Sequence, residues 1–86
     1  MTNISNTGFK TVSPASGDSP NAGPVTFIWT ADPGASVYSL CIDKLPCIAV
    51  SGLSATANVN NKAVTHKWYV KSDQGGITLV TPFTVQ

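Results

Sequence analysis

The chain has 86 residues and a formal net charge of +1, and only 10% of its residues are charged. That length holds one domain with a small core, and five lysines without a single arginine leave no clustered basic face for nucleic acid. Apolar residues alternate with polar ones and never reach the ~18 consecutive positions of a membrane-spanning helix, and no stretch has the three-part build of a signal peptide.

In chain order, residues 1–11 are polar with isolated Ile4 and Phe9, and read as a linker or disordered start. Asn3-Ile4-Ser5 within them fits a glycosylation acceptor. Val12-Ser13-Pro14 is expected as a first strand at a sheet edge, where proline removes no needed ladder donor. Ala15 to Pro24 is turn-forming almost throughout and reads as a loop.

Val25 to Thr30 alternates, placing Val25, Phe27 and Trp29 on one face with Ile28 outward. Asp32-Pro33-Gly34 then turns the chain, with proline presetting φ and glycine free to take φ > 0. Val37 to Asp43 is the next strand, with Tyr38, Leu40 and Ile42 inward and Cys41 outward. Lys44-Leu45-Pro46 breaks it, and Cys47 to Val50 resumes as a short strand.

Ser54 to Val59 follows, with Leu53, Ala55, Ala57 and Val59 expected inward. After the Asn60-Asn61-Lys62 turn, Val64 to Lys71 is the strongest strand by composition. Its lysines mark Lys67, Tyr69 and Lys71 as the solvated face, so His66, Trp68 and Val70 face the core. Asp73 to Gly76 turns the chain, and Ile77 to Val85 closes it with Phe83 and Val85 inward.

About seven short strands with frequent turns and no helical period predict an all-β, two-sheet antiparallel immunoglobulin-like sandwich. A barrel is the alternative this alternation leaves open. The core is expected to centre on Phe27, Trp29, Tyr38, Leu40, Trp68 and Phe83.

The pattern Phe27-x-Trp29-x-x-x-Pro33-Gly34-Ala35-x-x-Tyr38-x-Leu40-x-Ile42, followed by Gly52-Leu53, Trp68-x-Val70 and Phe83-x-Val85, resembles a fibronectin type III-like module of bacterial secreted and surface proteins. The resemblance covers residues 12–86 and implies a sandwich with Trp29 in the second strand and Tyr38 in the third. It implies no activity, because the fold hosts many functions. One position departs from it. The family has a tyrosine two residues before the inward apolar residue of the sixth strand, bonded back to the preceding corner; this chain has His66. A neutral imidazole donating one N–H to a backbone carbonyl imitates that corner, and the expected consequence is a fold weakened below about pH 6 as the ring is forced to charge. A metal or acid–base role for His66 is the other reading, with no second histidine to support it.

Cys41 and Cys47 are the only cysteines, and a hairpin between them brings them within bridging distance. A structural disulfide there implies an oxidising compartment: extracellular, cell surface or periplasm. Two free thiols are the alternative.

No catalytic set, metal site or cofactor motif is present. Asp18, Asp32, Asp43 and Asp73 each lie beside turn residues, and Asp18, Asp32 and Asp73 hold calcium only if their loops converge. The candidate binding surface is Tyr69 between Lys67 and Lys71, where an aromatic ring stacks on a sugar or anchors a protein contact; an open sheet edge that takes an added strand is the other route to binding. The expected function is a non-catalytic spacer or adhesion module of a larger secreted or cell-surface protein, with a carbohydrate- or peptide-binding accessory module as the alternative. Its expected partners are neighbouring domains, then carbohydrate or protein, without nucleic acid or membrane insertion. The closing segment Phe83 to Gln86 reads as the last strand of one such module.

Overall fold

The computed structural model describes residues 8–86. The linker expectation for residues 1–7, with its glycosylation triplet, lies outside the described residues. The seven strands among the described residues are β1 (Thr11–Ser13), β2 (Gly23–Trp29), β3 (Tyr38–Ile42), β4 (Ile48–Val50), β5 (Ser54–Val59), β6 (His66–Ser72) and β7 (Thr81–Phe83). They form two antiparallel sheets, β1-β2-β5 and β4-β3-β6-β7, and the fold is an all-β sandwich.

Alternation builds both inner faces. On β2, Val25, Phe27 and Trp29 are buried while Thr26 and Ile28 face water. Tyr38, Leu40, Ile42, Trp68, Val70, Phe83 and Val85 meet them from the other sheet and its C-terminal extension. Phe27 packs edge-on against Trp68 and Phe83, with ring centroids 5.1 and 5.7 Å apart. Trp29 leans on Tyr38 and Trp68 at 6.0 and 6.5 Å. These are favourable aromatic geometries, and each such ring is worth about 3–5 kcal/mol against truncation to alanine. Trp68 Nε1–H donates to the Pro14 carbonyl (3.0 Å). Trp29 Nε1–H is buried and has no acceptor among the described residues.

The Asp32-Pro33-Gly34-Ala35 turn closes with Ala35 N–H donating to the Asp32 carbonyl (2.9 Å), and Gly34 takes φ 85°. The Tyr38 hydroxyl accepts the Asp32 N–H (3.0 Å), so the inward tyrosine also fastens the turn preceding its strand.

Four local expectations are corrected. Phe9, assigned to the linker, is buried in the core with its ring 5.9 Å from Tyr38, and β1 begins at Thr11 instead of Val12. A single isolated aromatic carries no periodicity, so its docking is decided by the hole that the other strands leave. Gly76 helps to shape that hole: a Cβ there would stand 2.5 Å from Asp32 Oδ2 and 3.1 Å from the Phe9 ring. Leu53, expected inward, is exposed, because it precedes the last β2–β5 strand pair at the rim. Val64 is also exposed, and β6 starts only at His66. The closing strand is interrupted. Lys71 pairs with Ile77 and Trp68 with Thr81, so β6 advances three residues while its partner advances four.

That extra residue is a β-bulge opposite Tyr69. Thr78 supports it: its N–H donates to the Val70 carbonyl (3.0 Å), and its hydroxyl oxygen accepts the Val70 N–H (3.0 Å). Leu79 and Val80 are consequently thrown outward, Leu79 to 87% exposure. Thr11 Oγ1 and Thr81 Oγ1 are hydrogen-bonded at 2.5 Å, which sets β1 over β7 along one side of the sandwich. β4 and β5, joined through residues 51–53, therefore share the opposite side.

Candidate functional site

The outer face of β6 carries the sequence-predicted surface. Tyr69 is half-buried there, directly across from Cys41 on β3. Cys41 and Cys47 form a disulfide with their Cα atoms 4.3 Å apart, and Cys41 is itself almost fully covered. Tyr69 and Lys67 line an open depression of about 860 Å³ together with Lys44, Leu45, Val64 and Val80. Lys71 does not line it; its backbone bridges Ile77 at the other end of the strand. The structure thus brings two of the three candidate residues together and adds an apolar wall from the bulge and the two neighbouring turns. Leu45 and Val64 escaped sequence reasoning because both sit in turns, where alternation says nothing about facing.

At the floor of this depression lies His66, 5% exposed. Its Nδ1 is 2.6 Å from Asp43 Oδ2, and its Nε2 is 2.7 Å from the Asn61 carbonyl oxygen. Both neighbours are acceptors, so both ring nitrogens donate when the ring is protonated. Burial opposes the charge, but the Asp43 bond, the Asn61 bond and the Asp43 charge together outweigh it and raise the His66 pKa above 6.5. The sequence-based expectation of a neutral histidine that destabilises the fold in acid is therefore reversed. It lacked Asp43, whose partner lies 23 residues away in sequence. Asp43 adopts φ 52°, which Asp tolerates better than most residues. Its Oδ1 also accepts the Lys67 N–H (2.9 Å), and its own N–H donates to the Lys67 carbonyl (2.8 Å). Chemically, this is a clamp between the β3–β4 turn and the start of β6. Neither ring nitrogen is directed at a substrate position.

The other carboxylates are also committed to local structure. Asp18 accepts the Ala15 N–H (2.8 Å), and Asp73 accepts the N–H groups of Ser36 and Val37 at 3.2 Å. Asp32, nearly buried, accepts the Ser72 hydroxyl (2.5 Å). Among the described residues no three His, Cys, Asp or Glu side chains group as metal ligands.

No protein-family model and no curated protein matches the chain. Among solved structures it is similar to the fibronectin(III)-like modules of CbhA from Clostridium thermocellum, with a TM-score of 0.66 over 90% of this chain and 93% of that one, at 19% identity. Likeness at that identity is likeness of fold, and with two antiparallel sheets around Trp29, Tyr38 and Trp68 it makes this chain a fibronectin type III-like sandwich.

Proposed function

We propose that the chain is a non-catalytic, in-line module of a larger extracellular or cell-surface protein, holding its neighbours apart. The observation that carries this reading is where the chain enters and leaves. Lys10 is hydrogen-bonded to Thr30 at one end of β2, through its N–H (2.8 Å) and its carbonyl (2.9 Å). Gln86 is bonded at the other end, to Ala22 (2.8 Å) and Pro20 (2.9 Å). Those ends are about 26 Å apart at the ~3.3 Å rise of a strand, in a body whose longest dimension is 39 Å. Domains attached at the two poles are separated by the length of the sandwich. The disulfide favours an oxidising compartment, and among the described residues His66 and the four aspartates are each engaged in internal bonds.

A second reading, a carbohydrate- or peptide-binding accessory module, is favoured by one feature: the apolar depression of Leu45, Val64, Tyr69 and Val80 beside Lys44 and Lys67. Fusing fluorescent domains at both ends tests the first reading, which expects a separation increased by about the module length. A glycan array with amide-shift mapping tests the second. Saturable shifts clustered at Tyr69 and Val80 would replace the spacer reading with the binding one.

A further inference from the structure

Among the described residues the two sheets have four open edges, and three are guarded. β1 has three residues, a register shift between Thr11 and Ser13, and Pro14 directly after it. β7 has three residues, contains Pro82 and follows the bulge. β4 has three residues and follows Pro46 and the disulfide. β5 is different. It runs six residues, Ser-Ala-Thr-Ala-Asn-Val, in unbroken register with β2, with no charge, proline or bulge. Natural sheets normally blunt an edge of that kind, because its unpaired backbone groups template another strand.

The register shows which groups are open. Trp29 N–H donates to the Leu53 carbonyl (3.0 Å), a single bond just beyond the last strand pair that fixes which positions of the ladder exchange hydrogen bonds. Alternation along the same register makes Phe27–Ala55, Val25–Ala57 and Gly23–Val59 hydrogen-bonded pairs. Pro24, which has no N–H, falls opposite Asn58 in a pair that exchanges no bonds, as it must. The N–H and C=O groups of Ser54, Thr56 and Asn58 therefore point away from β2 to the open side.

We propose that this edge pairs with β5 of a second copy of the chain. Antiparallel and centred on Thr56, the two strands set Ser54 opposite Asn58, Thr56 opposite Thr56, and Asn58 opposite Ser54. Every outward group then meets an outward group, and each of the three pairs exchanges two bonds. The two-fold axis stands perpendicular to the sheet, so both cores remain on the same side and the threonines form a favourable cross-strand pair. Neither β5 nor the adjoining β2 carries a charge, so identical strands meet without repulsion. Ile48 supports the same edge. It pairs with Leu40 and shares its inward face, yet it is 46% exposed where Leu40 is fully covered. On the side that β4 and β5 share, its free flank overlooks the place an added strand takes. The proposal stands independently of the spacer reading.

Sedimentation of the intact chain over a concentration series tests it, together with amide exchange. An interface this small gives weak association, on the order of 10 μM to 1 mM. The amides of Ser54, Thr56 and Asn58 gain protection as concentration rises, while those of Ala55 and Ala57 are protected throughout. Thr56→Lys opposes two charges across the axis, and Thr56→Pro removes one outward donor without touching the β2 ladder. Both weaken association at least about tenfold, with melting temperatures within about 3 °C of wild type. Leu79→Lys, on the opposite side of the sandwich, leaves association unchanged. A chain that stays monomeric at about 1 mM, association that survives both Thr56 variants, or association abolished by Leu79→Lys overturns the proposal.

Discussion

His66 shows how one side chain changes meaning when its partners are known. Its pKa is raised in the folded protein, where burial is outweighed by the Asp43 carboxylate and the Asn61 carbonyl. A raised pKa contributes stability in full below the unfolded value of 6.5, and that contribution is lost as pH rises through the folded value. The melting temperature is therefore expected to be higher at pH 6 than at pH 8, and His66→Gln should remove that slope. A wild-type melting temperature that is flat or rising over this range would falsify the clamp. The two tryptophans make a second residue-scale comparison. Trp68 donates to the Pro14 carbonyl, whereas the Trp29 N–H has no acceptor among the described residues. Changing either to phenylalanine removes the same volume, but only Trp68→Phe orphans a buried carbonyl. Denaturant titration should find Trp68→Phe the costlier by about 1–3 kcal/mol.

At the scale of elements, the β3–β4 hairpin is held in two ways: by the Cys41–Cys47 disulfide and by the Asp43 clamp to His66 and Lys67. Closing a loop with a sequence separation of six stabilises by about 2 kcal/mol in the chain-entropy model. The double variant Cys41→Ala, Cys47→Ala should lose about that much in denaturant titration and still fold, because the core strands do not depend on the bridge. Loss of cooperative unfolding would show instead that the hairpin organises the sheet. The cysteines and the break at Lys44-Leu45-Pro46 were legible as a hairpin because turn chemistry and alternation both act locally. The bulge at Leu79–Val80 was not legible. An extra residue in a strand is visible only against a paired strand, and its support, Thr78 substituting its hydroxyl for a ladder carbonyl, belongs to the pair.

For the whole molecule, Phe9 sets the boundary. A chain shortened to begin at Val12 leaves the space between Tyr38 and Gly76 unfilled. That truncation, like Phe9→Ala, should cost about 3–5 kcal/mol and lower the melting temperature by more than ~10 °C. A truncated chain that melts like the full one would return Phe9 to the linker. The opposed poles at Lys10 and Gln86 and the open β5 edge are likewise properties of the assembled sandwich. The sequence by itself determined the sandwich class, the inward sets on β2, β3 and β6, the Pro33-Gly34 turn and the cysteine hairpin. Each follows from periods and turn residues that operate over a few neighbours. Only the tertiary structure decided that Phe9 is core, that Leu53 is not, that His66 is clamped by Asp43, and that Tyr69 faces a bulge. Those outcomes depend on contacts between residues distant in the chain, and no local pattern encodes which of them will meet.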